Sequence, residues 1–505
     1  MAMRHCALLV ICLTSDFAAG NLISQNNTFN STFRLTPAQI AATNLTNETV
    51  QNVETALRFE RSNNAGYLIQ DDPFYHVPAS YNSQDPPRPG TILKVEEHTN
   101  LTLYTIPNSI SMSRFLYVSE TLNGSSVPAS AYVLVKISAS APPSRTMLTA
   151  RHWPYLPRSF KNLTACKDGN ASTGPLYPTI GLCHGTSGQT QACAPSGLRS
   201  LWDDFHEPFA LALAGYAVVA PDYVGLGVPN ITSPYFILPS QANDLYHSVA
   251  AAQSHWPGML SKEFVIAGQS QGGAVAWAAA QRQHQRPVEG YLGTMAASPF
   301  TDVIADIVAD NAAENNARVA GIAQGLDTVL PGFSISDWLT PLGVARWNLV
   351  QEIKGCGTTG GQLSAAEGGT LQILKDGWNE TWAAEWYRNN TMNGGKAFAG
   401  PMLVIQGTQD PNANEPVTSK SVNETCILYP DSQLEYIRWE NITHVPVLYA
   451  AQHLWLDWIK DRFDGVAAPG GCSVETKSPP RGVNGVQFAG FNDNTWFIEY
   501  DVYGI

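Results

Sequence analysis

The sequence predicts an α/β fold with a mostly parallel central sheet. Strand-like and helix-like runs alternate from about residue 176 to 300 and resume at about residue 400, an order typical of parallel strands covered by helices. The apolar run 263–267 leads into a Gly-x-Ser-x-Gly pentapeptide, and the helix-forming run 273–280 follows it. A later apolar run, 401–406, turns into a loop that carries an aspartate. Together these observations indicate a sheet whose strand ends hold reactive side chains.

The pentapeptide is Gly268-Gln269-Ser270-Gln271-Gly272. A strand, this pentapeptide and a helix, in that order, are typical of the nucleophile elbow of an α/β-hydrolase fold. The two glycines let the chain turn sharply enough for the Ser270 hydroxyl to stand clear of the sheet. A glycine-rich turn between strand and helix can also be purely structural, but both flanks here match the elbow. We therefore interpret Ser270 as a catalytic nucleophile.

In this fold the acid and then the base follow the serine along the chain. Asp410 comes shortly after the run 401–406, and His444 ends the loop after a second strand-like run, 434–439. Because the carboxyl ends of parallel strands share one edge of the sheet, we expect Asp410 and His444 to meet Ser270 there. The alternatives are that Asp410 is only a turn residue before a proline and that His444 is only a loop histidine.

Three other residues could supply the base or the acid. His453 is the rival base, but it lies within an apolar helical pattern that spans Val447–Phe463. Asp376 and Asp431 are the rival acids, and neither directly follows an apolar strand. The sequence therefore favours Asp410 and His444.

A second loop is expected to bind the oxyanion. The strand-like run 177–183 leads into His184-Gly185-Thr186-Ser187-Gly188, a histidine-glycine loop of the esterase type. An oxyanion hole needs two backbone N–H groups, which we expect from Gln271 and Thr186, with Gly185 as the neighbouring candidate. The simpler interpretation is a glycine-rich turn after a strand.

Several motifs in one order form a family pattern. They are the loop 184–188, Cys193-Ala-Pro-Ser196, the run 218–227, the pentapeptide, and Asp71-Asp72-Pro73-Phe74-Tyr75. From about residue 70 to 472 the chain resembles the fungal secretory lipase family, of the lipase A type. The resemblance implies a lipase or carboxylesterase with the triad Ser270, Asp410 and His444 and a helical cap over the site. That family's lipases often carry a different oxyanion loop and a different residue after the serine, so ester hydrolysis is a broader expectation than long-chain lipase activity.

Residues 1–20 are expected to be a secretory signal peptide, with a basic start, the apolar run Cys6–Leu13 and the small residues Ala18-Ala19-Gly20. The alternative is a buried N-terminal helix. Asparagines in Asn-x-Ser/Thr acceptor sequences also indicate export. These are Asn26, Asn30, Asn44, Asn47, Asn100, Asn123, Asn162, Asn170, Asn230, Asn379, Asn389, Asn423 and Asn441. We expect a secreted, extracellular glycoprotein in which Asn441, close to His444, stays unmodified.

An even number of cysteines remains once Cys6 and Cys12 are removed with the signal peptide. They are Cys166, Cys183, Cys193, Cys356, Cys426 and Cys472. Such a set is typical of disulfides in an oxidising compartment, although six cysteines allow many pairings. The family resemblance implies the bridges Cys193–Cys356 and Cys426–Cys472, which leaves Cys166 to pair with Cys183.

The composition argues against other classes of function. With 42 acidic against 29 basic residues, the chain lacks the electrostatic footprint of a nucleic-acid-binding protein. Hydrophobic residues make up 44% of the chain, enough for a sizeable core. The sequence has no zinc spacing, P-loop or dinucleotide-binding glycine set, so we expect no metal and no cofactor.

We expect six segments along the chain. They are the signal peptide (1–20), an Asn/Thr-rich glycosylated arm (21–65), the first part of the hydrolase core (66–300), a helical cap insertion (301–395), the second part of the core (396–472) and a C-terminal flap (473–505). Strand-like runs at 91–95, 101–105, 114–121 and 131–137 should form the antiparallel start of the sheet. The cap should offer apolar surface to an acyl chain and contact a lipid interface.

The expected function is hydrolysis of lipophilic esters, such as acylglycerols, by a monomer that forms an acyl-enzyme. The same residues could deacetylate a secondary metabolite or transfer an acyl group to an alcohol, because triad geometry does not choose the leaving group. A peptidase and a catalytically dead hydrolase-fold binding protein are the remaining alternatives. The intact set of Ser270, Asp410 and His444 argues against a dead enzyme.

Overall fold

The computed structural model describes residues 32–137, 176–202, 207–310, 315–365 and 372–478. The predicted signal peptide, Cys166 and the run 479–505 of the predicted flap lie outside these ranges, as do four of the sequons: Asn26, Asn30, Asn162 and Asn170.

Within the described ranges, ten strands form one sheet. They are β1 (Ile92–Glu96), β2 (Ile110–Glu120), β3 (Ser126–Lys136), β4 (Tyr177–Cys183), β5 (Ala217–Pro221), β6 (Leu260–Gln269), β7 (Tyr291–Ala297), β8 (Met402–Gly407), β9 (Leu434–Trp439) and β10 (Cys472–Lys477). Their spatial order is β1-β2-β3-β5-β4-β6-β7-β8-β9-β10. The pairs from β1 to β5 are antiparallel, and those from β5 to β10 are parallel. The predicted α/β fold with a mostly parallel sheet is confirmed.

Helices cover the sheet and fill the insertion. They are α1 (Pro37–Ala42), α2 (Asn47–Ser62), α3 (Pro208–Leu213), α4 (Leu238–His255), α5 (Gln271–Gln285), α6 (Val303–Asp310), α7 (Asn315–Val329), α8 (Ile335–Trp338), α9 (Pro341–Ile353), α10 (Gly357–Ser364), α11 (Trp382–Thr391), α12 (Glu415–Leu428), α13 (Pro446–Ala450) and α14 (Gln452–Asp464). None of these helices is long and apolar enough to cross a membrane.

Strand β6 is buried on both faces. Phe264 and Ile266 pack into a core cluster that includes α4 and α5, whereas Val265 and Ala267 face a second cluster that includes α3 and α14. A strand covered on both sides needs a continuous apolar run instead of alternation, which explains the pattern before the pentapeptide. Because helices occupy both faces, the loops at the carboxyl ends of the strands are where polar side chains can gather.

The described part of the predicted cap contains helices α6–α11, inserted between β7 and β8. Its large apolar side chains, such as Trp338 and Trp347, belong to the same core cluster as α4 and α5. Helix α2, within the predicted arm, packs on the cap. Its Glu60 accepts hydrogen bonds from the backbone N–H of Cys356 and of Thr359, each at 2.8 Å.

Two predicted elements differ from the structure. The run 101–105 is not a strand: residues 101–103 form a 3₁₀ turn because the Asn100 side chain accepts the N–H of Thr102. The predicted helix Val447–Phe463 is divided into α13 and α14, and the indole of Trp455 donates to the Leu448 carbonyl at the break. At the start of the predicted flap, strand β10 pairs in parallel with β9 at the edge of the sheet.

The structure contains the two disulfides Cys193–Cys356 and Cys426–Cys472, both implied by the family resemblance. Cys166, the predicted partner of Cys183, lies outside the described residues, and within them Cys183 is a free thiol. Cys183 is the last residue of the central strand β4, and its side chain is completely buried in the core. Burial also raises the pKa of this thiol well above its usual value, which keeps it protonated and unreactive.

Candidate active site

Ser270 occupies the corner between β6 and α5. Strand β6 ends at Gln269 and helix α5 begins at Gln271, so the serine alone makes the turn. Its backbone has φ 61° and ψ −122°, a conformation that is costly for a non-glycine residue. Two backbone hydrogen bonds hold it: the Ser270 N–H donates to Ala297 O at 2.9 Å, and Ser270 O accepts the N–H of Ala274 at 3.0 Å. Such over-determined strain is typical of functional sites.

The two glycines of the pentapeptide are required by close packing of the backbone. A Cβ atom on Gly272 would lie 1.9 Å from the Cys183 carbonyl oxygen, at the end of β4. A Cβ atom on Gly268 would lie 2.4 Å from the carbonyl oxygen of Gly272. Helix α5 therefore begins directly against the end of β4, and any side chain at these positions would push the two apart.

Asp410 follows β8 and is held by four hydrogen bonds. Its Oδ1 accepts the backbone N–H groups of Asn412 and Ala413, each at 2.9 Å. Its Oδ2 accepts from the Gln406 side-chain amide at 2.9 Å and from His444 Nδ1 at 2.8 Å. The side chain is buried, and these donors replace the water that a carboxylate needs. The carboxylate is therefore fixed in one orientation.

His444 lies in the loop after β9 and joins Asp410 to Ser270. Its Nε2 is 2.8 Å from Ser270 Oγ, while Nδ1 faces the carboxylate. The backbone around the imidazole is anchored as well, because the Ser298 hydroxyl donates to the His444 carbonyl at 2.9 Å. With Nδ1–H donated to Asp410, Nε2 is the free base that can accept the serine proton.

The rival residues lie elsewhere. His453 is exposed on α14, and Asp376 and Asp431 are exposed in loops. The hydrogen-bond chain through Ser270 contains none of them. The geometry therefore brings together the serine, histidine and aspartate that the sequence favours.

The residues expected to form the oxyanion hole lie next to each other. Gln271 is the first residue of α5, where a helix leaves its N–H groups without intrahelical partners. Thr186 Oγ1 donates to the Gln271 side-chain oxygen at 2.8 Å and is 3.1 Å from the Tyr235 hydroxyl. Among the backbone hydrogen bonds of the described residues, none uses the N–H of Thr186 or Gln271. The two donors can therefore converge on one oxygen, and the contact between their side chains fixes their spacing.

The loop that carries Thr186 is tied down on both sides. His184 is buried and stacks on the Tyr223 ring at 4.2 Å between centroids, and burial lowers its pKa to about 4, so it is neutral near neutral pH. Gly188 has φ 143°, and a Cβ atom there would lie 2.5 Å from Cys193 Sγ. The Cys193–Cys356 disulfide thus lies against the loop and connects it to helix α10 of the cap.

Sequence reasoning missed several residues around the site. Gln406 binds Asp410, and Tyr235 contacts Thr186. The ring centroids of Phe300 and His444 are 6.0 Å apart. The Arg318 guanidinium lies over the Phe300 ring, 4.8 Å from its centroid. Only Gln406 carried a signal, since a polar residue in the buried run 401–406 has to find a hydrogen-bond partner.

No group of three or more histidine, cysteine, aspartate or glutamate side chains among the described residues is arranged to hold a metal ion. The reactive groups differ in their access to solvent. Asp410 and His444 are 6% and 5% exposed, whereas Ser270 and Thr186 are partly exposed. Ser270 and the Thr186 loop are therefore open to solvent, while the Asp410 carboxylate is shielded. Such an arrangement can carry out acyl transfer from an ester or an amide.

Comparison with known proteins places this site in context. The model of the alpha/beta hydrolase family matches residues 182–467, which include all three residues of the hydrogen-bond chain. No curated protein matches the chain in sequence. The solved structure of Candida antarctica lipase A in its closed state is similar in fold, with a TM-score of 0.60 and 14% identity over 85% of this chain and 95% of that chain.

A second solved structure with a similar fold is the rice cell wall degrading esterase LipA from Xanthomonas oryzae. Its TM-score is 0.53, with 16% identity over 75% of this chain and 100% of that chain. At such low identity these similarities concern the fold. They agree with the recognition of an α/β-hydrolase and with the lipase A resemblance seen in the motifs.

The packing of α5 on β4 predicts the effect of a single methyl group. Gly272→Ala would place a carbon 1.9 Å from the Cys183 carbonyl oxygen, so the helix or the strand must shift. We expect a loss of about 1–3 kcal/mol in the free energy of unfolding, measured by urea denaturation. Gly258→Ala is the matched control, because no heavy atom lies within 4 Å of the added Cβ. Equal stabilities of the two variants would contradict the close contact.

Proposed function

We propose that this chain, which belongs to the alpha/beta hydrolase family, is a serine hydrolase that cleaves carboxylic esters. The observation that carries the proposal is the hydrogen-bond chain from Ser270 Oγ to His444 Nε2 and from His444 Nδ1 to Asp410 Oδ2, each step 2.8 Å. Its distances suit proton transfer from the serine without any rearrangement.

Each residue has a distinct role in the proposed reaction. His444 takes the Ser270 proton as the serine oxygen attacks the ester carbonyl, and the buried Asp410 carboxylate stabilises the resulting imidazolium. The carbonyl oxygen becomes an oxyanion between the N–H groups of Thr186 and Gln271. Collapse of this intermediate expels the alcohol, which receives the proton from His444. Water then attacks the acyl-enzyme by the same steps in the second half-reaction.

Helix α5 adds to the stabilisation of the oxyanion. Ser270 is its N-cap residue, so the reaction takes place at the positive end of the helix dipole. Because Gly272 and Gly268 allow the closest approach of α5 to β4, the dipole and the Thr186 loop act on the same point. Both contributions are built into the fold and need no reorganisation during the reaction.

We propose lipophilic esters such as acylglycerols as the substrate class. The support comes from the cap, whose helices share the apolar core beside the triad, from the exposed Trp382 on α11, and from the motif resemblance to secreted lipases. The acyltransferase and the secondary-metabolite deacetylase remain the alternatives. An inactive binding protein has less support, because Ser270, His444 and Asp410 form an unbroken hydrogen-bond chain. A peptidase has less support because the motifs resemble those of secreted lipases.

We also propose that the protein acts outside the cell as a monomeric glycoprotein, with the cap as its contact to a lipid interface. Two disulfides are compatible with an oxidising compartment. Of the described sequon asparagines, all are exposed except Asn379, which is half-buried. Asn441 is exposed three residues before His444, so a glycan there would stand at the entrance of the site.

The triad assignment predicts a graded loss of esterase activity. Ser270→Ala and His444→Ala should each lower kcat by about 10⁴-fold or more, because each deletes a group that takes part in bond making or proton transfer. Asp410→Asn should lose somewhat less, since the acid orients and stabilises the imidazole without reacting itself. Nitrophenyl ester hydrolysis by the purified variants measures all three.

The controls for this series are the exposed rivals. His453→Ala, Asp376→Asn and Asp431→Asn should keep most of the wild-type activity. If Ser270→Ala hydrolyses esters at near-wild-type rates once contaminating esterases are excluded, the proposed function is wrong. If one of the controls is inactive, the role of base or acid moves to that residue.

The substrate proposal predicts a dependence on acyl length. Burial of each methylene contributes about 0.8 kcal/mol, so kcat/KM should rise from acetyl over the first few methylenes if the cap covers the acyl chain. A series of nitrophenyl esters, measured beside an emulsified triglyceride, provides the test. Activity that is highest on acetyl esters and absent on octanoyl esters would favour the deacetylase instead.

A further inference from the structure

The loop 408–414 between β8 and α12, here called the acid loop, carries Asp410 and also binds a second carboxyl group. The N–H groups of Asn412 and Ala413 donate to Asp410 itself, and the next N–H, of Asn414, donates to Oδ1 of Asp306 at 2.8 Å. Asp306 is not part of this loop: it lies on α6, the first helix of the cap. Two carboxyl groups from different parts of the fold thus share three consecutive N–H groups of the acid loop.

Asp306 is buried, unlike most carboxylates in proteins. It is only 2% exposed, and its Oδ2 is buried without a hydrogen-bond partner among the described residues. An unsatisfied buried oxygen costs free energy that an apolar residue on α6 would avoid. The one hydrogen bond that the Asp306 side chain makes among the described residues is the bond to the acid loop. The effect of Asp306 on the structure is therefore to fix the position of the Asn414 backbone.

We propose that Asp306 is a positioning residue for Asp410, through which the cap holds the acid loop in the geometry required by His444. The inference rests on the proposed function of the triad. The loop between Asp410 and α12 is short, and Asn414 is the N-cap of α12. Fixing the Asn414 N–H from the cap side leaves the preceding N–H groups directed at Asp410. Loss of this anchor would let the carboxylate move relative to the imidazole.

Burial favours the neutral form of Asp306. Burial is the main cause that raises its pKa well above the usual range, and Asp410 and Asp302 act in the same direction. The hydrogen bond from Asn414 N–H and the charge of Arg318 on α7 act in the opposite direction. A neutral Asp306 still offers Oδ1 as an acceptor to Asn414 N–H, and it adds no second negative charge beside Asp410.

Two substitutions remove the same hydrogen bond from opposite ends. Asp306→Ala deletes the acceptor, and Asn414→Pro deletes the donor. Asn414 has φ −64°, which a proline ring adopts, and its side chain makes no capping hydrogen bond. If Asp306→Ala fails to fold, Asn414→Pro still tests the bond. Asp306→Asn is the conservative variant, because its amide oxygen can accept the same N–H. Asp327→Ala, which removes an exposed carboxylate from α7, is the matched cap control.

The expected result is a kinetic effect with a defined pattern. Asp306→Ala and Asn414→Pro should each lower kcat by about 10- to 100-fold with little change in KM, the size expected for a catalytic group displaced by a fraction of an ångström. The double variant should lose no more than either single variant, because both remove one interaction. The kcat of Asp306→Asn should stay within about threefold of the wild-type value. The acidic limb of its pH–rate profile should lie at the same pH as in the wild type. Asp327→Ala should be unchanged.

A second measurement does not depend on catalysis. The low-field proton signal of His444 Nδ1–H reports its hydrogen bond to Asp410; it should persist in Asp306→Asn and shift or broaden in Asp306→Ala. Wild-type kcat in Asp306→Ala, or a lowered thermal midpoint with unchanged kcat and an unchanged proton signal, would overturn the proposal. A downward shift of the acidic limb in Asp306→Asn would overturn its neutral form. If Ser270→Ala were active while this signal behaved as expected, the proposed function would fail and the positioning role would stand.

Discussion

The structure depends on one close approach, between the first turn of α5 and the end of β4. Gly272 lies so near the Cys183 carbonyl that no side chain fits between them. This contact brings Ser270, the N–H of Gln271 and the Thr186 loop to one point, and it aligns the helix dipole with them. The strained backbone of Ser270 persists because β7 and α5 bind it from both sides. Without this packing the strand ends would still lie on one edge, but Ser270, Gln271 and the Thr186 loop would not converge.

The cap is connected to the catalytic loops at separate places. The Cys193–Cys356 disulfide lies against the oxyanion loop, and the Asp306 carboxyl group binds the acid loop. Glu60 of α2 in turn binds the backbone at Cys356, so the N-terminal helices support the same junction. The insertion between β7 and β8 is thus part of the framework that holds these loops. Substitutions in the cap should therefore alter kcat as well as substrate preference.

The sequence predicts that Ser270, Asp410 and His444 lie close together, and the reason is physical. Ser270, Asp410 and His444 each follow an apolar strand in a parallel sheet, and topology alone then brings them to one edge. The hydrogen bonds of Thr186 to Gln271 and of Gln406 to Asp410 could not be predicted, because such side-chain contacts produce no periodic pattern in the sequence. The contact of Asp306 with the acid loop depends on how the insertion packs against the core. The complete burial of Cys183 could not be predicted, because an even count of cysteines says nothing about burial. The predicted strand at 101–105 is wrong because the Asn100 side chain accepts a backbone N–H and so stabilises a local turn that competes with a strand.

The central claim is that Ser270 is a nucleophile activated by His444. Reaction with a fluorophosphonate probe tests it most directly, since the probe needs an activated serine and an oxyanion site but no particular acyl group. Digestion of the labelled protein followed by mass spectrometry should find one adduct, on the peptide that contains Ser270. The same experiment on His444→Ala should find almost none. No adduct on the folded wild-type protein, or an adduct on a different serine, would contradict the account.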